Sequence, residues 1–411
     1  MQSGDHPPAW VTELQGFRLA GVAGTVDVED LVPDSHRLPG TSNVPSIRRI
    51  HHPCTTSPPL SAAITSTLTQ APLPRPPESV LLDPALNATI TSHPHLFRIT
   101  TPIDVPRYAS FTACHPNRPL VDSILVGLTE GFWPGHDGAF DESRAWIPIH
   151  DSDANLDLLA SHFHDDFEKG YLSEPFHGRL PGTHRSNLFV ANTDTDRPRQ
   201  VCDQSASGLN DGMDANLAKT TYDFISSLAA LDKHLVDAGA FADAAIRSPD
   251  GRELIVPQLF KSDVQGGFRD LPVSLHWQTK QIHTVRTRDS QGRDVWSNYV
   301  DHRLILGGRT SPRIFCTFLN VLLWAIDYHF NAPDLRVFVD DVFSIDLSGV
   351  RLSITHPATG ESRDVPLAQA KVLLGWTHVS LPWAWKKQIS SPASSLYLAT
   401  SSRSRRTRSE E

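Results

Sequence analysis

Hydrophobic residues recur along this chain with two different periods, and the change from one to the other marks out its elements. Within residues 115–134, Val121, Leu125 and Leu128 return at helical spacing and Gly131 and Pro134 close the segment, which predicts a short helix. A second amphipathic helix is predicted over residues 151–170, ending at Gly170. A third is expected from Asp214 to Ala238, with Phe224, Leu228, Leu231 and Leu235 on one stripe. A fourth opens at Ser311-Pro312 and runs to Phe330. There serine suits the N-cap, proline suits the first helical position, and Ile314, Phe318, Leu322 and Ile326 form the buried face. A fifth covers residues 365–379. Between these, β-branched and aromatic residues predict strands. Two short ones fall within residues 184–211, and one over 254–264 ends at an acid. Residues 279–287 and 300–306 flank the polar turn 288–294, a strand–turn–strand spans 335–347, and a last strand lies in 349–357. The order predicts an α+β fold with the strands on one sheet and helices on one face. No internal repeat is evident.

The two ends have a different texture. Residues 1–92 contain Pro/Ser/Thr-rich stretches with little periodicity, and residues 393–411 are a Ser/Arg-rich run. Such compositions bury too little apolar area to offset ordering entropy, so a mostly disordered arm and a disordered tail are expected. The division that follows is an arm over 1–92, a helical extension over 93–185, the main α+β body over 186–392, and a tail over 393–411.

Composition excludes several classes. No run of 18 or more apolar residues occurs, so no membrane span is expected. The first residues lack the basic and apolar regions of a secretory signal, and the expected setting is intracellular, cytoplasmic or nuclear. Cys54, Cys114, Cys202 and Cys316 are scattered without metal or disulfide spacing. Net charge is −9 overall, yet residues 257–392 carry 15 basic against 12 acidic residues. That asymmetry fits an anionic partner for the back half, although solvated faces give such imbalances routinely. His162 and Asp166 share a helix face while His164 does not. Two ligands without a third read as a polar helix surface rather than a metal site.

The chemistry-bearing feature is a set of acids in apolar strand context. Asp340 and Asp341 sit between Phe338-Val339 and Val342-Phe343, and Asp263 ends another strand. Adjacent carboxylates in an apolar segment repel and lose hydration unless a cation offsets them. The economical offset is a divalent ion with oxygen ligands, Mg²⁺ or Mn²⁺. Three carboxylates from two neighbouring strands would hold two such ions, as in-line phosphoryl transfer requires. The competing reading is a polar hairpin turn.

The sequence resembles reverse transcriptases at four places, in their order. Phe338-Val339-Asp340-Asp341 is similar to the aromatic-x-Asp-Asp box. Lys261 to Phe268 is similar to the motif carrying the first catalytic Asp, with an aromatic residue five positions on. Leu306 to Pro312 is similar to the Gly-x-x-x-Ser-Pro loop and helix start, and Arg199 to Asp203 is similar to a fingers motif. Over about residues 93–390 the wording resembles polyproteins of DIRS-type tyrosine-recombinase retrotransposons. The resemblance implies a right-hand polymerase fingers–palm architecture, with residues 93–185 leading into the fingers and 186–392 forming fingers and palm. It implies an RNA-directed DNA polymerase acting on an RNA or DNA template–primer and deoxynucleoside triphosphates.

The resemblance also implies roles. Asp263 and Asp340 would be the main metal ligands, with Asp341 beside them and the Val264 carbonyl completing a shell. Phe268 would lie under the sugar of the incoming nucleotide, or be an ordinary core aromatic. Arg199 would meet the triphosphate, and Gly307 would let the template–primer backbone approach. Lys386 and Lys387, after the last helix, stand either near the leaving pyrophosphate or template or as solvated surface charges. The chain departs from the family in lacking the thumb, RNase H and recombinase regions, and Arg197 is the only base from Ser186 to Pro198. These departures imply weak activity, with a non-catalytic nucleic-acid-binding or inactive relic of a retrotransposon polyprotein as the alternative.

Overall fold

Helices in this chain begin where a short polar side chain can cap and, in several cases, a proline can follow. In the computed structural model, which describes residues 19–20, 60–140, 152–191, 199–237, 258–288, 291–332, 334–346 and 350–392, Ser61 caps α1 (Ala62–Ser66) by accepting from the Ile64 amide. A short helix α2 (Glu78–Leu81) follows. Asp83 caps α3 (Pro84–Ser92), Asp104 caps α4 (Val105–Phe111), Asn117 caps α5 (Arg118–Glu130) and Ser152 caps α6 (Asp153–Glu168). Helix α7 (Ile225–Asp237) begins eleven residues after its predicted start at Asp214. The amide of Asn216 bonds the Asp214 carboxylate, and Asp223 is committed to a buried network, so the stretch before α7 stays irregular. Ser274 caps α8 (Leu275–Gln278). Helix α9 (Ser311–Phe330) takes Ser311 as a helical residue, with Thr310 before it donating to the Pro134 carbonyl rather than capping. Helix α10 (Leu367–His378) completes the set.

Among the described residues the strands form three small sheets rather than the one expected. Half of the pairings are hairpins between sequence neighbours, which close locally and need not join one another. The first sheet adds β1 (Leu19–Ala20) to the hairpin of β9 (Arg351–Thr355) and β10 (Ser362–Pro366). The second has the order β3-β2-β5-β6, from β2 (Arg185–Ala191), β3 (Arg199–Asp203), β5 (Ile282–Arg288) and β6 (Asp294–Val300), with β2 and β5 parallel. Strand β6 ends where the sequence predicted a strand to begin. Its alternation is hidden by Asn298, a buried polar residue accepting from Thr284 at 2.8 Å. The third sheet has the order β11-β4-β8-β7, all antiparallel, from β4 (Gln258–Asp263), β7 (Arg336–Phe338), β8 (Asp341–Asp346) and β11 (Ile389–Pro392). Phe260, Ser262, Val342 and Ser344 of this sheet are buried, and β4 and β8 pack on α10. The alternate residues Leu259, Lys261, Asp263, Asp341 and Phe343 are left on the opposite, half-open face.

The main core is built around α9, which is buried nearly all round: Phe315, Leu319, Val321 and Leu323 join the four residues expected on its inner face. Gly375 of α10 permits this closeness, since a Cβ there would lie 2.4 Å from Ile326. The same core corrects the reading of the arm. Residues 60–92 are folded: Ala63, Ile64, Leu73 and Val80 are core residues, and α1 packs on α9 and β7. Several serines and threonines that suggested disorder cap a helix or bond to backbone carbonyls, and Pro84 opens α3. Ser61 donates to Asp223, the Ala62 amide donates to the same carboxylate at 2.9 Å, and Gln70 donates to Thr317 at 2.6 Å. Residues 1–18, 21–59 and 393–411 lie outside the described residues. The main core draws on residues from Ala63 to Trp133 and from Leu209 to Trp385, and a separate cluster packs Phe163 and Leu172 with Leu188 and Cys202. Among the described residues, no helix is long and apolar enough to cross a membrane.

Candidate functional site

Strand alternation and antiparallel register together assemble the acids. Asp263, the last residue of β4, lies directly opposite Asp341, the first residue of β8, and Asp340 occupies the turn before it. Opposed residues of an antiparallel ladder have Cα atoms roughly 4.5–5.5 Å apart, so Asp263 and Asp341 share one sheet edge, with Asp340 next to them in sequence. The turn is held in an unusual conformation, with Val339 at φ 59°. A β-branched residue there is strained, and the strain is confined to the residue preceding the acid pair.

Like charges so placed need cations, and two lysines provide them. Lys261 lies two residues before Asp263, hence on the same face, and its Nζ sits 2.8 Å from Asp341 Oδ1. Lys387, in a 3₁₀ turn (Trp385–Lys387), donates from Nζ to Asp263 Oδ1 at 2.8 Å and to the Val264 carbonyl at 2.9 Å. Asp340 makes no ion pair within the described residues. Burial pushes its carboxyl above the usual range, and the charges of Asp263 and Asp341 push the same way. Burial lowers Lys261, but the hydrogen bond and charge of Asp341, with Asp263 and Asp340, outweigh it and raise this ammonium. The Cys316 thiol is raised to about 12 by burial and by the Asp340 charge.

The donor set matches a hard divalent cation in kind: three carboxylates and one backbone carbonyl, all oxygen. The Lys387 ammonium already stands in for a cation between two of these donors, Asp263 and Val264. Among the described residues, no three His, Cys, Asp or Glu side chains converge closely enough to hold a metal by themselves.

The other residues singled out from the sequence are dispersed. Phe268 is half-buried in a 3₁₀ turn (Gly267–Asp270), its ring 5.2 Å from that of Phe315. That turn is anchored by Arg269, which forks onto Asp301 at 2.8 and 2.9 Å and reaches Asp166 at 3.0 Å. Asp166 therefore serves an ion pair, with Lys169 also 3.9 Å away. Gly307 has φ 108°, and a Cβ would lie 2.0 Å from the Cys202 carbonyl. Its need for glycine comes from close packing on β3 rather than from an open surface awaiting a nucleic-acid backbone. Arg199 opens β3 opposite Ala191, and its side chain, like Arg197, lies outside the described residues. Lys386 is exposed, while Lys387 is bound into the site.

Two features escaped the sequence reading. The first is the pairing of Lys261 with Asp341, for which the signal was present, because a strand residue two positions from an acid shares its face. The second feature is an apolar cleft of about 580 Å³ beside the acids, walled by Phe224, Leu228, Leu259, Phe338, Phe343 and Ile389 and edged by Lys261 and Asp341. Tyr222, Phe224 and Phe338 cluster at its mouth with ring centroids 5.3 to 6.4 Å apart. It joins elements distant in sequence, and no local pattern announces it. Compared with known proteins, the chain matches no family model and no curated protein.

Proposed function

We propose that this chain is a reverse-transcriptase-like fingers–palm domain whose acid cluster serves nucleotidyl transfer on a template–primer. The observation that carries the reading is the placement of Asp263 against Asp341, with Asp340 in the adjoining turn, on the sheet face turned away from α10. Asp263, Asp340, Asp341 and the Val264 carbonyl would hold Mg²⁺ or Mn²⁺. A bound pair of such ions would supply activation of a primer 3′-hydroxyl and charge neutralisation at the leaving pyrophosphate.

The chain's own groups account for the rest. Asp340, its charged form disfavoured by burial and by two neighbouring acids, has the most to gain from cation binding. The ring of Phe268, braced on Phe315, is a fixed surface for a nucleotide sugar. The aromatic cluster of Tyr222, Phe224 and Phe338 offers π-faces of the kind on which single-stranded bases stack. Backbone phosphates would be held weakly, since few basic groups are available and affinity follows their number.

The test is single-nucleotide incorporation at low salt with Mg²⁺ or Mn²⁺, comparing wild type with Asp340→Asn. Incorporation by wild type and its loss in the variant is the expected outcome. Equal incorporation by both sinks the assignment.

A second reading, a non-catalytic nucleic-acid-binding relic, is favoured by the two lysines that already neutralise the acids. It gains the ground if neither protein incorporates nucleotide while both bind template–primer equally in fluorescence anisotropy.

A further inference from the structure

We propose that Lys387 is a tethered counter-ion of the acid cluster, holding one cation position until a divalent ion displaces it. The inference rests on reading Asp263, Asp340 and Asp341 as metal ligands.

Lys387 Nζ bonds two acceptors, Asp263 Oδ1 at 2.8 Å and the Val264 carbonyl at 2.9 Å. These are two of the donors that the metal reading requires. A magnesium ion binds its oxygens at about 2.0–2.1 Å, so one shared between those two oxygens would lie almost on top of the ammonium. The two cations exclude each other by space as well as by charge.

The turn that delivers Lys387 is firmly built. The Lys387 amide bonds the Ala384 carbonyl at 3.0 Å, and the Trp385 indole bonds the Glu361 carbonyl at 3.1 Å. Trp385 also packs edge-on against Trp383 at 4.9 Å. Gln388 holds the strand end from the other side, donating to the Asp263 carbonyl at 3.1 Å. The backbone is therefore fixed and only the side chain is free to leave. Lys261 differs, since it pairs with Asp341 and contacts neither Asp263 nor Val264. Three carboxylates against two ammoniums leave Asp340 as the unpaired charge that draws a further cation. On displacement, the Lys387 ammonium stays tethered at the rim, available to an anionic group on an incoming ligand.

The experiment is a Mn²⁺ titration of the full chain followed by electron paramagnetic resonance, in wild type, Lys387→Met, Lys386→Met and Asp340→Asn. Removing a unit charge that shares the ion's ligands should tighten Mn²⁺ binding by about tenfold. The Lys386→Met change, equal in charge but outside the cluster, should stay within about twofold, and Asp340→Asn should weaken binding. Lys387→Gln, which keeps a hydrogen-bond donor toward the same two oxygens, guards against misfolding and should tighten binding as well. In wild type, saturating Mn²⁺ should raise acetylation of Lys387, read by mass spectrometry, several-fold over Lys261. If wild type binds Mn²⁺ and the Lys387 variants bind no more tightly, or Lys387 acetylation does not rise, the counter-ion role is wrong while the metal site stands. If wild type and Asp340→Asn both fail to bind, the metal reading itself fails and this inference falls with it.

Discussion

Replacing Asp223 with alanine should loosen the N-terminal wrap from the body of the protein. Asp223 is 1% exposed and sits just before α7. Its carboxylate accepts from Ser61 Oγ at 2.5 Å, from the Ala62 amide at 2.9 Å and from the Val337 amide at 3.1 Å. It thus ties α1 to β7, while its own amide donates to the Val337 carbonyl at 2.9 Å. A hydrogen bond to a charged acceptor contributes about 1.5 kcal/mol or more, and a buried amide left without a partner costs about 1–3 kcal/mol. Losing three such bonds should therefore destabilise by about 4–5 kcal/mol, a large share of a typical 5–15 kcal/mol. Asp223→Asn, which retains one acceptor, should cost about half as much. Ser61→Ala, which removes one bond and the α1 cap, should cost about 2 kcal/mol. Urea unfolding followed by tryptophan fluorescence measures these differences, because Trp133, Trp277, Trp376 and Trp383 are all buried. Limited proteolysis supplies the second readout, with Asp223→Ala opening cleavage within residues 60–92 under conditions where wild type resists. A change below about 1 kcal/mol with the wrap still protected would refute the reasoning.

Other predictions address separate parts of the fold. Gly307→Ala should cost about 2 kcal/mol or more, because φ is 108° and the new Cβ would meet the Cys202 carbonyl; a wild-type urea midpoint would contradict it. Gly375→Ala should destabilise by about 1–3 kcal/mol through overpacking against Ile326, and Ile326→Val in the same chain should recover part of the loss. Burial pushes Asp301 upward, but Arg269 and His283 outweigh it and hold its carboxyl at about 2, against 3.8 for a free one. A depressed folded value stabilises above the unfolded one, so about 2 kcal/mol should be present above roughly pH 4 and lost as pH falls toward 2. The acid limb of stability should be shallower by that amount in Asp301→Asn, and an unchanged limb would remove Asp301 from the account.

The acids were legible because strand alternation survives around them: Phe260, Ser262, Val342 and Ser344 turn inward and leave Asp263 and Asp341 on the other face. Their direct opposition needed only the correct hairpin for β7 and β8 and one long-range pairing. Lys387 was visible as a charge but not as a partner. Its position depends on an irregular turn returning to a strand more than a hundred residues earlier, and no periodicity encodes that return. The wrap over 60–92 was misread because composition averages over a window. Ala63, Ile64 and Val80 are each almost wholly buried, and the Pro, Ser and Thr residues between them masked that apolar content. The single sheet was misread because local alternation predicts strands without saying which ladders join. Strand β6 was placed too late because Ser297 and Asn298 are polar and buried, which breaks the expected pattern.

The packing of α1 on α9 also has a cost in time. Asn320 reaches the Ala63 carbonyl across 257 residues of chain, and Gln70 reaches Thr317 across 247. At roughly 5–20 residues per second, a ribosome needs on the order of 10–50 s to make that interval. Throughout it, Ala63, Ile64 and Leu73 have been synthesised while the helix that covers them has not. A segment rich in large apolar residues would offer nascent neighbours a surface for aggregation over such a wait. Here the Pro, Ser and Thr residues that interrupt the apolar ones of 60–92 keep the segment hydrated until α9 emerges and the wrap can close.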